Sequence, residues 1–191
     1  MRDTLKMGLT LTLVCSIAAA SLAQVYKITK VRIDRNMIEV EKKKLKEVLP
    51  MAVSFDEGQV DGKKVFIGKD SEGRVVGAAF NVAPQGYAGK INTLIGVDSE
   101  RKVTAISITK LDQKETPGLG TKITEPKFRD RFKGKDGNDL KLKKDGGSID
   151  AITAATISSR AVANGVHEGM KWYRKAVEGT VPIYGRSEAE P

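Results

Sequence analysis

The chain has 191 residues, 40% hydrophobic and 30% charged, with a formal net charge of +9; that is room for one globular domain beside a membrane segment, with a core needing no disulfide or metal staple. A single cysteine, Cys15, and a single histidine, His167, exclude an intrachain disulfide, an iron–sulfur cluster and a multi-histidine metal centre. Basic residues are spread along the chain and aromatics make up only 5%, so the basic stripe with stacking aromatics of a nucleic-acid binder is missing.

Residues 7–26 read MGLTLTLVCSIAAASLAQVY and carry no charge. As a helix, twenty residues span about 30 Å, the thickness of a bilayer's hydrocarbon layer. Residues 1–27 are therefore read as a transmembrane anchor and 28–191 as the domain it carries. A cleaved signal peptide is the competing reading, with Arg2 and Lys6 as its basic start and Ser21-Leu22-Ala23 as a small-x-small site. The unbroken spanning length favours the retained anchor, and both readings export the domain. Charge bias points the other way. Lys27, Lys30, Arg32 and Arg35 outnumber the basic residues before the segment, although large domains translocate largely regardless of such charges.

A helix is expected over 36–49, with Met37, Val40, Leu45, Val48 and Leu49 near one face and Pro50 as its stop. Strands are expected at 65–68 and 74–82 around the turn Asp70-Ser71-Glu72-Gly73. A second pair is expected at 91–97 and 102–110 around Asp98-Ser99-Glu100-Arg101. Residues 111–150 are looser, with a short helix near 127–132 and a short strand at 140–143. The last element is an amphipathic helix over 156–177, where Val162, Val166, Met170, Tyr173 and Val177 recur at spacings of three and four. The fold class is α+β, mainly antiparallel.

The common chemical signatures fail. Gly118-Leu119-Gly120 begins like a dinucleotide fingerprint, but Ile123 stands where the third glycine belongs. There is no GxxxxGK[ST], and one histidine without a local motif argues against a hydrolytic triad. Three segments stand out: Gly86-Tyr87-Ala88-Gly89-Lys90-Ile91, Glu115-Thr116-Pro117-Gly118-Leu119-Gly120, and Asp150-Ala151-Ile152-Thr153-Ala154-Ala155-Thr156. Each alone reads as a strand connection, a Pro/Gly loop, or a helix start capped by Thr153. The third also has the makings of a phosphate site. A helix N-terminus offers unpaired N–H groups and a positive dipole end, and Thr153, Thr156, Ser158 and Ser159 add hydroxyls. Glycines at 118 and 120 let a flat ring approach the backbone.

In this order the three segments resemble the FMN-binding domain of the G subunit of the Rnf electron transport complex and its relative, the C subunit of the Na+-translocating NADH:quinone oxidoreductase. ETPGLG is matched in full, and DAITAAT matches D-x-x-[ST]-G-A-[ST] except at Ala154, where the family has Gly. Gln113 stands where many relatives have His. The resemblance implies one N-terminal transmembrane helix and an extracytoplasmic domain at the cell (inner) membrane. It implies that a flavin transferase moves FMN from FAD onto Thr156, joined through its phosphate, and that Asp150, Thr153, Ala155 and Thr156 are what the transferase recognises. The cofactor would lie against Glu115, Thr116, Gly118, Leu119 and Gly120, with Tyr87, Thr153, Ala154 and Ala155 completing its site. Other subunits of the Rnf complex would be the partners, passing electrons between reduced ferredoxin and NAD+ while Na+ or H+ is pumped, with no catalytic acid or base in this chain. The C subunit of the Na+-translocating NADH:quinone oxidoreductase, a stand-alone exported flavoprotein and a cofactor-free exported binding module are the other readings.

Overall fold

The computed structural model describes residues 2–111 and 118–179; Glu115, Thr116 and the tail beyond Gly179 lie outside them. The first element, α1, is one helix over Arg2–Val48, where the sequence reading separates an anchor from a helix over 36–49. The physical reason is plain: no glycine or proline occurs between Gly8 and Pro50, so nothing breaks the ladder. Leu5–Lys27 within it is long and apolar enough to cross a membrane. The chain divides into two units at Lys42/Lys43, so the last turn of α1 belongs to the globular unit.

That unit is built on a five-stranded antiparallel meander in the order β1-β2-β3-β4-β5: β1 (Ser54–Val60), β2 (Lys63–Lys69), β3 (Val75–Val82), β4 (Asn92–Asp98) and β5 (Val103–Lys110). The expected hairpins are present. Asp70 closes the β2–β3 turn by accepting the Glu72 and Arg74 N–H groups, each at 2.9 Å. Strand β1 has no counterpart in the sequence reading, because SFDEGQV is mostly polar and sits at the sheet edge. Its signal is the turn that follows. Asp61 and Gly62 both have positive φ, 47° and 74°, as a two-residue Asp-Gly hairpin requires.

The sheet carries a cluster on each face. Leu45, Val48, Leu49 and Ala52 pack on Phe66, Ala79 and Leu94. On the other face Phe80, Ile91, Ile95 and Ile106 meet α3 (Thr156–Gly179) through Val162, Val166, Met170 and Tyr173, the stripe expected from periodicity; the Val177 side chain lies outside the described set. Phe80 and Tyr173 stack with centroids 5.2 Å apart, a pairing worth about 0.5–1.5 kcal/mol beyond burial. Gly169 lets α3 come close, since a Cβ there would lie 2.7 Å from Val82 Cγ1.

Between β5 and α3 the expected short helix appears as α2 (Pro126–Arg129) continued by a 3-10 turn, Asp130–Phe132. The expected strand at 140–143 does not form. Leu140 ends one 3-10 turn, Lys143 begins another, and the segment pairs only through a single parallel bridge, Leu142 to Ile149. Its alternation reflects two core leucines, Leu140 and Leu142, both fully buried, held by turns instead of a ladder.

Candidate functional site

The site is organised by the start of α3. Ile152–Ala155 form a tight turn, closed by the Ala155 N–H donating to the Ile152 carbonyl at 3.0 Å. Ala154, at its third position, has φ 63°. A left-handed residue at that position suits glycine, and this is the place where the family motif has it. Helix α3 begins at Thr156, directly after Ala155. Thr153 therefore does not cap the helix: it is exposed in the turn, separated from Thr156 by two alanines.

Ser159 is fully buried. Its Oγ accepts the Ile152 N–H at 3.0 Å, and with no exposed surface it is not among the residues that line the cleft described below. Ser158, also buried, lines the cleft described below. Asp150 is exposed and paired with Lys143 at 2.8 Å. The hydrogen bond from Lys143 holds its carboxyl below the usual range. The Arg131 guanidinium donates to the Asp150 carbonyl and, through Nε, to the Lys127 carbonyl at 3.1 Å, which ties the motif to the segment just after α2.

The other two segments arrive at the same place. Gly86 N–H donates to the Gly89 carbonyl at 2.8 Å, a turn that leaves Tyr87 68% exposed. Gly86 has no room for a side chain, because a Cβ would lie 2.9 Å from Ile91 Cγ1. Gly118 has φ 75°, and its N–H donates to Thr121 Oγ1 at 3.0 Å, turning the chain into the 3-10 segment Gly120–Thr124. Tyr87, Leu119, Gly120, Ala154, Ala155, Thr156, Ile157 and Ser158 line one cleft of about 430 Å³. That volume is within the range of small-molecule sites, about 300–1,000 Å³. Two smaller depressions flank the turn. One has Lys122, Lys127, Arg131 and Thr153 on its walls; the other has Lys143, Lys144, Asp150 and Thr156.

The arrangement fits a flat, phosphate-bearing cofactor. The half-buried Thr156 stands at the positive end of a long helix. Leu119 and Ile157, 38% and 55% exposed, join Tyr87 as apolar surface at the cleft, wide enough for a ring system to lie against. Thr153, Ala154, Ala155, Gly118, Leu119, Gly120 and Tyr87 are thus at or beside one site; Glu115 and Thr116 lie outside the described residues. His167 is engaged elsewhere, with Nδ1 2.8 Å from the Gly137 carbonyl. Sequence reasoning did not find Ile157, Arg131 or Lys143. Ile157 carries a faint signal, an apolar residue off the buried stripe of α3, while the other two have none until the fold brings them to the turn.

The FMN-binding domain family matches residues 86–171, a span that opens at the Tyr87 turn and encloses Thr156. The G subunit of the ion-translocating oxidoreductase complex of Methanosarcina acetivorans is 36% identical over 187 residues, covering 93% of this chain and 98% of that protein. The chain belongs to this G-subunit family. Another relative, the G subunit of the Na(+)-translocating ferredoxin:NAD(+) oxidoreductase complex of Acetobacterium woodii, is 32% identical, covering 88% of this chain and 91% of its own. Among solved structures, the C subunit of the Na(+)-translocating NADH-quinone reductase of Parabacteroides distasonis superposes with a TM-score of 0.51 at 26% identity, covering 62% of this chain and 64% of that one. Shewanella oneidensis NqrC, at 19% identity, has a TM-score of 0.50 with 68% and 73% covered, which shows a shared fold. This G-subunit chain keeps the fold with Ala154 in the left-handed position.

Proposed function

We propose that this chain is a membrane-anchored electron carrier of an ion-translocating ferredoxin:NAD+ oxidoreductase complex, with FMN joined by a phosphoester to Thr156. The observation that carries the reading is the cleft at the start of α3, where Tyr87, Leu119 and Thr156 meet. Bound there, FMN supplies the electron chemistry that these side chains lack. Thr156 Oγ holds the phosphate, and the N-terminus of α3 stabilises its negative charge. Leu119, Ile157 and Tyr87 cover the ring and exclude water from it, and Gly118 and Gly120 let backbone approach it.

Attachment takes FAD as co-reactant. The bond from Thr156 Oγ to the flavin-side phosphorus forms, the bond between the two phosphates of FAD breaks, AMP leaves, and the hydroxyl proton passes to solvent. Asp150, held by Lys143, and the turn residues Thr153 and Ala155 are what the flavin transferase reads. Leu5–Lys27 anchors the chain, the domain works on the extracytoplasmic side, and other subunits of the complex deliver and remove electrons. Covalent attachment prevents loss of the cofactor there. The test is an intact-mass spectrum of the denatured full chain from a host carrying the flavin transferase. A mass raised by one FMN less one water, mapped to the Thr156 peptide, is expected; an unmodified chain overturns the proposal.

A further inference from the structure

We infer that Ser159 is the positioning residue for flavin attachment, a buried clamp that holds the Ile152–Ala155 turn against the left-handed strain at Ala154 and so presents Thr156. The inference rests on the reading of Thr156 as the attachment site.

The geometry is unusual for a helical serine. Such a hydroxyl commonly bonds back to a carbonyl within its own helix, four residues earlier. Here Ser159 Oγ accepts the N–H of Ile152, seven residues earlier and outside α3. The Ser159 backbone N–H meanwhile donates to the Ala155 carbonyl at 3.0 Å. One fully buried residue therefore holds both ends of the turn, the first by its side chain and the last by its backbone.

The turn needs holding. Its third residue is Ala154 at φ 63°, a conformation in which the Cβ crowds the following carbonyl. Ala155, which precedes the helix, has no side-chain acceptor to brace the helix start. Without the clamp, the half-buried Ile152 N–H loses its acceptor and Ala154 relaxes to negative φ. The residue carried with that movement is Thr156, two positions on. Its hydroxyl must meet a phosphorus atom in line, and small displacements of a nucleophile are costly.

The test measures the rate of flavin attachment to the full chain in detergent, with flavin transferase and FAD, by intact mass over time. Hydrogen exchange at the Ile152 amide is read in parallel. Ser159→Ala is expected to slow attachment about tenfold, equivalent to about 1.4 kcal/mol, and to speed exchange at Ile152. Adding Ala154→Gly to Ser159→Ala removes the strain that the clamp opposes and is expected to restore most of the rate. That rescue separates a positioning role from general loss of packing. Attachment at the wild-type rate in Ser159→Ala, or no recovery in the double variant, overturns the inference while leaving Thr156 as the site. Wild-type chain left unmodified, or modified elsewhere, overturns both. If Ser159→Ala does not fold, Ala154→Gly alone decides: attachment about threefold faster than wild type is expected, and an equal rate overturns the inference.

Discussion

The face of the sheet that receives the end of α1 and the opposite region at the start of α3 are built on contrary plans. On the first, contacts are closed. Gly77 and Gly96 lie so near Leu49 and Val48 that neither has room for a Cβ. Lys44 donates to the Ile108 and Thr109 carbonyls at 3.0 and 3.2 Å, and Glu47 accepts from Ser107 at 2.8 Å and from Arg129. At the start of α3, contacts are open. Tyr87 and Ile157 are exposed, Ala154 is left-handed, and the cleft beside Thr156 has space for a ligand. The first region fixes the fold, and the second is where the proposed flavin attachment takes place. Substitutions should therefore separate stability from flavin content.

The largest effect belongs to the open region. Thr156→Ala is expected to abolish covalent flavin entirely while leaving the unfolding temperature of the flavin-free chain within a few degrees of wild type. Covalent flavin persisting in denatured Thr156→Ala would break the separation. In the closed region Gly96→Ala should do the reverse. Its Cβ would press on the Val48 carbonyl and lie 2.5 Å from Thr104 Oγ1. Overpacking of this kind costs about 3 kcal/mol. For a chain of this size that lowers the unfolding temperature by about 6–12 °C, measured on the full chain in detergent, with flavin still attached in the folded fraction.

Glu47 sharpens the contrast through pH. Burial alone would push its carboxyl up, but hydrogen bonds from Arg129 and Ser107 outweigh that and hold it below the usual carboxylate value. A group depressed in the folded state stabilises the fold above its unfolded pKa, and that contribution is lost as pH falls through the folded pKa. Wild type should therefore lose stability from this site on acidification below about pH 4.5. Glu47→Gln should be less stable at neutral pH by about 1 kcal/mol, since the pair is partly exposed and screened, and its unfolding temperature should change less between pH 7 and pH 4. An identical acid profile for the two proteins would remove Glu47 from the closed region's account.

Legibility in the sequence follows the same division. Strands β2 to β5 and the buried stripe of α3 could be read because turn residues and periodicity are local signals, as in the Asp70–Gly73 turn. Strand β1 was missed because its own residues are mostly polar and exposed, and only the Asp61-Gly62 turn that follows announces it. The alternation at 140–143 misled because Leu140 and Leu142 are buried by turns. The three motif segments were recognisable as sequence, and the fold brings their described parts to one cleft. The role of Ser159 was not legible: its partner is a backbone N–H seven residues away, and no residue pattern announces such a bond.

The smallest effect gives the finest test. Ala154 and Arg101 share almost the same backbone strain, with φ of 63° at each, but Arg101 lies in the β4–β5 turn, where its N–H donates to the Asp98 carbonyl at 3.1 Å. Releasing a left-handed Cβ gains about 1–2 kcal/mol, and the extra freedom of glycine in the unfolded chain takes back about 0.5–1 kcal/mol. Ala154→Gly should therefore raise the unfolding temperature by about 1–3 °C, and Arg101→Gly by no more than that. Only Ala154→Gly should also change the rate of flavin attachment, because only that turn leads into Thr156. Equal changes in attachment for both variants would mean that general stability, and not the shape of the turn, governs how Thr156 is presented.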